Sequence, residues 1–296
     1  MDYPFPETPL RPGPVRWVGD HFLIGDHLAG RVLCYDHNQS HWSDELTRLH
    51  EEECGADHPI DIASRRRAVR SVRRWSSTAA PVVLDAGCSS GYLIEALRDA
   101  LPEAMILGAD YIPALLERLA ARLPGVPMLQ FDLRQCPLPD QSLDAIACLN
   151  VLEHIDDDAG ALRQIHRVLR PGGIAHLEVP AGPHLYDIYD EHLMHHRRYR
   201  LADLVELARV TGFEVLEATH LGCLIYPAFA LVKRRQRALL SVSAQRKKEI
   251  IARQIRRTGR SLPLAILLGI ESVLDRWFRL PFGIRCIAVL RRPQAT

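Results

Sequence analysis

The chain lacks an apolar run long enough to span a bilayer. Its longest, around 223–232 and 262–270, are about half of what a spanning helix needs, so an integral membrane protein is not expected. It also lacks a CxxC pair. Seven cysteines are scattered at 34, 54, 88, 136, 148, 223 and 286, which points to reduced thiols in a cytosolic protein rather than a disulfide framework. There is no internal repeat, and the one biased tract is the opening MDYPFPETPLRPGP, whose five prolines predict an extended arm. Being acidic, that tract is not expected to act as a secretory leader. Net charge is nearly absent, at +1 over 296 residues, which removes any global electrostatic case for nucleic-acid binding.

What is present is an ordinary globular composition, 47% apolar and 25% charged, suited to one large domain with additions or to two small ones. The charge is unevenly placed. Residues 1–60 carry eleven Asp or Glu against four Arg, a balance of −7. Residues 233–260 carry eleven Lys or Arg against Glu249 alone, a balance of +10.

The chain is organised around 81–97, PVVLDAGCSSGYLIEAL. Val82, Val83 and Leu84 are apolar and β-branched, too short a run for a helix and enough for a buried strand. Asp85 closes it, and Gly87 to Gly91 form a turn where the backbone can reach positive φ or approach a ligand. From Tyr92 the spacing is helical, with Leu93, Ala96 and Leu97 on one face. A strand, a glycine turn and a helix N-terminus together offer free N–H groups to a phosphate or carboxylate.

Before this hub, 15–33 suits a short hairpin, and helices are predicted near Ser43–Glu53 and after Asp61. Residues 1–76 have too thin an apolar content for a core of their own and are expected to form an N-terminal helical cap or lid. After the hub, strands are predicted at 105–109, 128–131, 143–149, 174–179, 213–218 and 285–290. Helices are predicted at 112–123, 158–169 and 201–210. This alternation predicts an α/β fold, a doubly wound and mostly parallel sheet with ligands at the strands' carboxyl ends. Residues 77–222 and 283–296 would form that core, and 223–282 a helical insertion before the last strand. Within the insertion, Leu262 to Leu280 is expected to be amphipathic, with Glu271, Asp275, Arg276 and Arg279 opposing Leu267, Ile270, Leu274 and Phe278.

The ends of the first four core strands carry Asp85 and Gly87, Asp110, Asp132 and Asn150. A carboxylate at Asp110 can accept both hydroxyls of a ribose. One at Asp132 can accept from an exocyclic amine, while the next backbone N–H donates to a ring nitrogen. An adenosine-bearing cofactor follows. A nicotinamide dinucleotide fits less well, because its G-x-G-x-x-G fingerprint is missing and three residues separate Gly87 from Gly91.

LDAGCSSG, the GAD ending at Asp110, FDL at 131–133, NVLEHI at 150–155 and LRPGG at 169–173 resemble the ordered motifs of class I S-adenosylmethionine-dependent methyltransferases. The likeness is to the small-molecule group that includes ubiquinone-biosynthesis-type enzymes, and it covers roughly 80–220. It implies a Rossmann-like seven-stranded sheet whose last strand is antiparallel, with S-adenosyl-L-methionine as cofactor. By resemblance, the cofactor-binding set is Asp85, Gly87, Cys88, Gly91, Asp110, Tyr111, Asp132, Leu133 and Asn150. In it, Gly87 and Gly91 approach the methionine, Asp110 the ribose, Asp132 and Leu133 the adenine, and Asn150 the amine. The family's usual GCGxG stands here as GCSSG, with Ser89 at the middle glycine.

Methyl transfer needs alignment, and a general base only where the acceptor is a weak acid. His154, just past the fourth strand, is the first candidate base. The segment 183–200, PHLYDIYDEHLMHHRRYR, offers His195 and His196 as alternatives, and Arg197, Arg198 and Arg200 as partners for an acceptor phosphate or carboxylate. His192, His195 and His196 with Asp190 or Glu191 fit no strong metal template, and no metal is expected. The expected reaction is methylation, at oxygen, of a small acceptor that is anionic or carried on a lipid or sugar. The basic insertion allows peripheral contact with a membrane through 233–280, at its inner face, for an otherwise cytoplasmic protein. Two other classes stay open: a non-catalytic subunit binding a protein partner, and a nucleic-acid methyltransferase. The latter would call for a motif such as [DN]PP[YF] where this chain has NVLEHI, so no nucleic acid is expected.

Overall fold

The computed structural model describes residues 3–9, 11–36, 57–243, 245–247, 249–251, 253 and 261–294. The helix expected near Ser43–Glu53 lies outside them. The chain begins with three short strands, β1 (Val15–Trp17), β2 (Phe22–Ile24) and β3 (His27–Gly30), paired as an antiparallel meander. There follow β4 (Val32–Cys34) and helix α1 (Pro59–Trp75). The hub gives β5 (Val82–Ala86) and α2 (Tyr92–Ala100). Next come β6 (Met105–Asp110), α3 (Pro113–Arg122), β7 (Met128–Gln130), β8 (Leu143–Leu149), α4 (Asp158–Val168) and β9 (Leu169–Pro180). The chain continues through α5 (Ile188–His192), α6 (Leu201–Val210), β10 (Glu214–Leu221), α7 (Tyr226–Arg237), α8 (Leu262–Leu274) and β11 (Arg285–Arg291).

The main sheet has eight strands in the order β10-β11-β9-β8-β5-β6-β7-β4. Seven are those expected. The last of them, β11, lies antiparallel between β9 and β10, and the other six, β10 included, run in one direction. The eighth comes from the region expected to form a cap. β4 pairs parallel with β7, Val32 to Met128 through Cys34 to Gln130, and covers what would be an open edge. The N-terminal portion is thus not helical throughout. It adds a strand to the sheet, and Tyr3, Phe5 and Phe22 join the main core.

The strands separate two apolar layers. On β5, Val82, Leu84 and Ala86 point into one and Val83 into the other, as the two-residue period of a strand requires. Helix α1 lies over β9 with a polar seam that the apolar pattern does not reveal. Ser71 Oγ is 3.1 Å from His176 Nδ1, and Ser64 Oγ donates to Glu178 Oε1 at 2.7 Å. Arg285 of β11 reaches the same Glu178 oxygen at 2.5 Å and Asp61 at 2.9 Å, so these buried charges are paired.

Helix α8 turns its acids, though not Arg276 and Arg279, toward the protein. Glu271 and Asp275 face inward: Glu271 accepts from the backbone N–H groups of Gly222 and Leu224, and Asp275 takes Arg67 and Arg70 of α1. Leu267, Ile270, Leu274 and Phe278 are the exposed ones. The acids turn inward because unpaired N–H groups and two arginines await them there. Among the described residues no helix is long and apolar enough to cross a membrane.

Candidate active site

The carboxyl ends of β8, β5, β6 and β7 lie side by side, so Asn150, Asp85, Asp110 and Asp132 line one edge of the sheet. The turn after β5 is folded tightly onto its neighbours. The N–H groups of Gly87 and Cys88 both donate to Ala109 O, at 2.8 and 2.9 Å. Gly87 has φ +77°, and a Cβ there would fall 2.3 Å from Val151 Cγ2, so only glycine lets the turn press against the tip of β8. Gly91 caps α2, and Cys88 is buried beneath the turn.

Two carboxyls sit beneath this turn. Asp85 is buried, and its Oδ2 has no hydrogen-bond partner among the described residues. Burial, with Asp110 nearby, pushes its pKa up to about 8. Asp110 accepts the Ser89 N–H at 3.1 Å and the Ile112 N–H at 3.2 Å, one on each oxygen. Burial raises its pKa too, and these amides oppose the rise. Tyr111 is partly exposed beside it, and its carbonyl accepts from Gln130 Nε2 at 3.3 Å.

Asp132 is less available than the sequence suggested. It caps the short turn Leu133–Gln135, and Arg134 forks onto it, Nη2 to Oδ2 at 2.7 Å, while also reaching Asp156 at 2.8 Å. Asn150 has φ +54°, and its N–H donates to Glu178 O at 2.8 Å.

The acceptor candidates divide. His154 and His195 come together, ring centroids 4.6 Å apart and edge to face. His196 does not join them: its N–H donates to Glu153 O at 2.8 Å and its side chain is exposed. His195 is buried, with Nδ1 2.9 Å from Asp190 Oδ1. Asp190 is also held by Arg198 at 2.7 Å and by Lys233 at 3.4 Å, and Lys233 bonds Asp187 at 2.7 Å. Burial works against charge on Asp190, but His195, Arg198 and Lys233 outweigh it and hold the carboxyl below the usual range. Glu153 is fully buried next to the two rings. Neither of its oxygens has a hydrogen-bond partner among the described residues, and burial pushes its pKa up to about 8. Side-chain ligating atoms of Glu153, His154 and His195 lie within 4.8 Å of one another. Arg197 and Arg198 are committed to Asp158 and Asp190, so neither is free for an acceptor anion, whereas Arg200 is exposed.

The same strand tips lie inside a recognised domain. A family profile described as "Methyltransferase domain" matches residues 84–177. A probable S-adenosylmethionine-dependent methyltransferase of Mycolicibacterium smegmatis is 35% identical over 153 residues, 51% of this chain and 59% of that protein. A malonyl-[acyl-carrier protein] O-methyltransferase of Dechloromonas aromatica is 31% identical over 188 residues, 59% of this chain and 68% of that protein. The chain belongs to the class I S-adenosylmethionine-dependent methyltransferases. The matched part spans well under the full length of these relatives, about three fifths of the first. Among solved structures, phosphoethanolamine N-methyltransferase 2 of Haemonchus contortus, in complex with S-adenosyl-L-methionine, superposes with a TM-score of 0.58. It is 15% identical, over 86% of this chain and 59% of that one, a likeness of fold alone.

In this chain, sequence reasoning missed three residues that shape the candidate site. Glu153, inside NVLEHI, has no signal of its own in the sequence, and only its full burial beside two imidazoles marks it out. Asp190 was a possible metal ligand, and the structure makes it the carboxylate behind His195. Lys233 stands at the head of the basic run, yet it is 4% exposed. No local signal distinguishes it from Arg234 or Arg235.

Proposed function

We propose that the chain binds S-adenosylmethionine across the tips of β8, β5, β6 and β7 and directs its methyl group to oxygen on a small acceptor. When bound, the cofactor supplies a methyl group activated by a sulfonium. The donor set suits it. Asp85 offers a buried oxygen without a partner to the amino-acid end, near Gly87 and Asn150. Asp110 takes the Ser89 and Ile112 amides on separate oxygens, with the Tyr111 amide also on it, and still has lone-pair capacity for a ribose hydroxyl. At the adenine end Leu133 and Tyr111 remain candidates, and Asp132 would share any amine with Arg134.

The observation that carries the acceptor half is the pair Asp190–His195 opposite His154. Asp190 fixes the imidazole through Nδ1, which leaves Nε2 to take a proton from an acceptor hydroxyl or acid. Burial, the largest influence, lowers the His195 pKa, so the ring is neutral and able to accept near neutral pH. His154 is the second candidate, and His196, exposed, the third. The D. aromatica relative is named for O-methylation of a malonyl group, which supports a small carboxyl-bearing acceptor and transfer to oxygen. An acceptor of that charge carried on a lipid would bring the chain to a bilayer surface.

A second reading rests on the same cluster. Two histidines and a carboxylate within 4.8 Å, with Asp190 behind one ring, suit a divalent cation. The test is calorimetric titration with S-adenosylhomocysteine, followed by transfer from tritiated S-adenosylmethionine to a panel of carboxyl- and hydroxyl-bearing acceptors. His195→Gln should bind S-adenosylhomocysteine normally and lose about 10²- to 10⁴-fold in transfer. Absence of binding by the unaltered chain overturns the proposal. Transfer abolished by a chelator and restored by one divalent ion would replace the base with the metal.

A further inference from the structure

Helix α8 carries its apolar side chains on the outside. Leu262, Ile266, Ile270, Val273 and Trp277 follow one another at spacings of four, four, three and four. That is one continuous strip of a helical face, extended through the turn after Leu274. All five are exposed, Leu262 and Trp277 to more than three quarters, and Phe278 and Phe282 widen the strip at its end. The helix is fastened from its other side by Leu268, buried near Ile225 and Ile284, and by Glu271 and Asp275. Those two carboxylates are the groups a water-facing helix would show to solvent. They are spent instead on Gly222, Leu224, Arg67 and Arg70, which locks the apolar side outward.

We propose that this strip docks the protein on the surface of an anionic lipid bilayer, lying in the plane of the interface. Charge complementarity selects that occupant. Residues 233–260, which end just before α8, hold eleven Lys or Arg against Glu249. On α7, Arg234, Arg235 and Arg237 are exposed, and Arg276 and Arg279 flank Trp277 and Phe278. An apolar strip with an interfacial tryptophan and a surrounding excess of cations fits acyl chains below and anionic headgroups around them. A second copy of this chain fits less well, because a two-fold contact through α8 would bring one basic stretch against its equal.

The docking face is joined to the acceptor wall. Phe229 of α7 and Leu264 of α8 pack against the same small core of Ile225, Leu268 and Ile284, and one turn on from Phe229 Lys233 enters the Asp187–Asp190 cluster that holds His195. This deepens the proposed function by naming an amphiphile held in the bilayer as the acceptor. The docking itself rests on α8 and its cations, so vesicle binding succeeds or fails independently of methyl transfer.

The experiment is flotation of the full chain with vesicles of phosphatidylcholine alone and of phosphatidylcholine with phosphatidylglycerol, at low and high salt. Binding is expected to the anionic vesicles only, to weaken with salt, and to blue-shift tryptophan emission in a way that Trp277→Phe abolishes. Ile266→Asp and Ile270→Asp, each on the exposed strip, should lower the affinity about tenfold or more, with unchanged thermal melting. Failure to bind either vesicle overturns the proposal. So does anionic binding that both Asp variants leave intact, which would assign it to the basic stretch alone. A dimer seen by light scattering and dissociated by Ile270→Asp, without vesicle binding, would give the strip to a second copy and equally overturn it.

Discussion

Replacing Glu153 by Gln keeps the shape of the side chain and removes its proton. Burial moves that proton's pKa from 4.5 to about 8, so the folded chain holds the carboxyl neutral where the unfolded chain releases it. Between those two values the folded state binds more protons than the unfolded one, so stability falls as pH rises. It is fully present below the unfolded value and lost as pH passes through the folded one. The gap of about 3.5 pH units corresponds to a ceiling of about 5 kcal/mol. Relaxation of the site around the charge brings the expected loss to about 2–4 kcal/mol. Glu153→Gln escapes this loss, so its advantage over the unaltered chain should grow by that amount from about pH 5 to about pH 9. Asp85, also pushed up to about 8, titrates in both proteins and cancels in the difference. Urea unfolding followed by fluorescence, at pH values across the window and with equal m values required, measures the quantity directly. Stability curves that run parallel for the two proteins would refute the argument, because Glu153 would then be ionised and paired in the folded chain.

Three further outcomes follow from the site. Asp110→Ala should weaken S-adenosylhomocysteine about tenfold or more by calorimetry, since hydrogen bonds to a carboxylate contribute about 1.5–3 kcal/mol each. Unchanged affinity would remove Asp110 from the binding set. Asp190→Asn leaves Lys233 and Arg198 buried with less opposing charge and should destabilise the chain by about 3–5 kcal/mol in urea. Asp190 also raises the His195 pKa, so in the same variant the acid limb of any transfer–pH profile should move to lower pH. Ser89→Gly should stabilise by about 0.5 kcal/mol in thermal melts, because Ser89 has φ +41°, where relief of strain exceeds the entropic cost of glycine. A loss of stability would assign the Ser89 hydroxyl a structural contact.

The sheet was legible because its evidence is local. Each core strand is a short apolar run, and each polar tip follows its own strand directly, so Asp85, Asp110 and Asn150 could be placed without knowing any neighbour. What escaped depends on distant partners. The three residues of β4 are too few to show a pattern, and they become a strand only by pairing with β7. Periodicity marked two unlike faces on α8 but could not say which met protein, since the answer lay in Arg67 of α1 and the N–H groups of Gly222 and Leu224. Lys233 was hidden for the same reason: a cation in a basic run is ordinarily solvated, and its burial depends on Asp187 and Asp190 across the fold. At the site, Arg197 and Arg198 had been left for ligands, and each proved to have a carboxylate of its own.

The segment after β9 is sewn to the segment after β8 at several points. His196 N–H meets Glu153 O at 2.8 Å, Arg197 reaches Asp156 O at 2.7 Å, and the Tyr199 hydroxyl donates to Asp158 at 2.8 Å. Neither segment can therefore drift alone over evolutionary time. A change at 152–158 alters the footing of 195–199, and the two should accumulate substitutions in correlated pairs whose effects do not add. Novelty in what this protein accepts would then enter more readily from helices α7 and α8, which bound the region without being part of that seam.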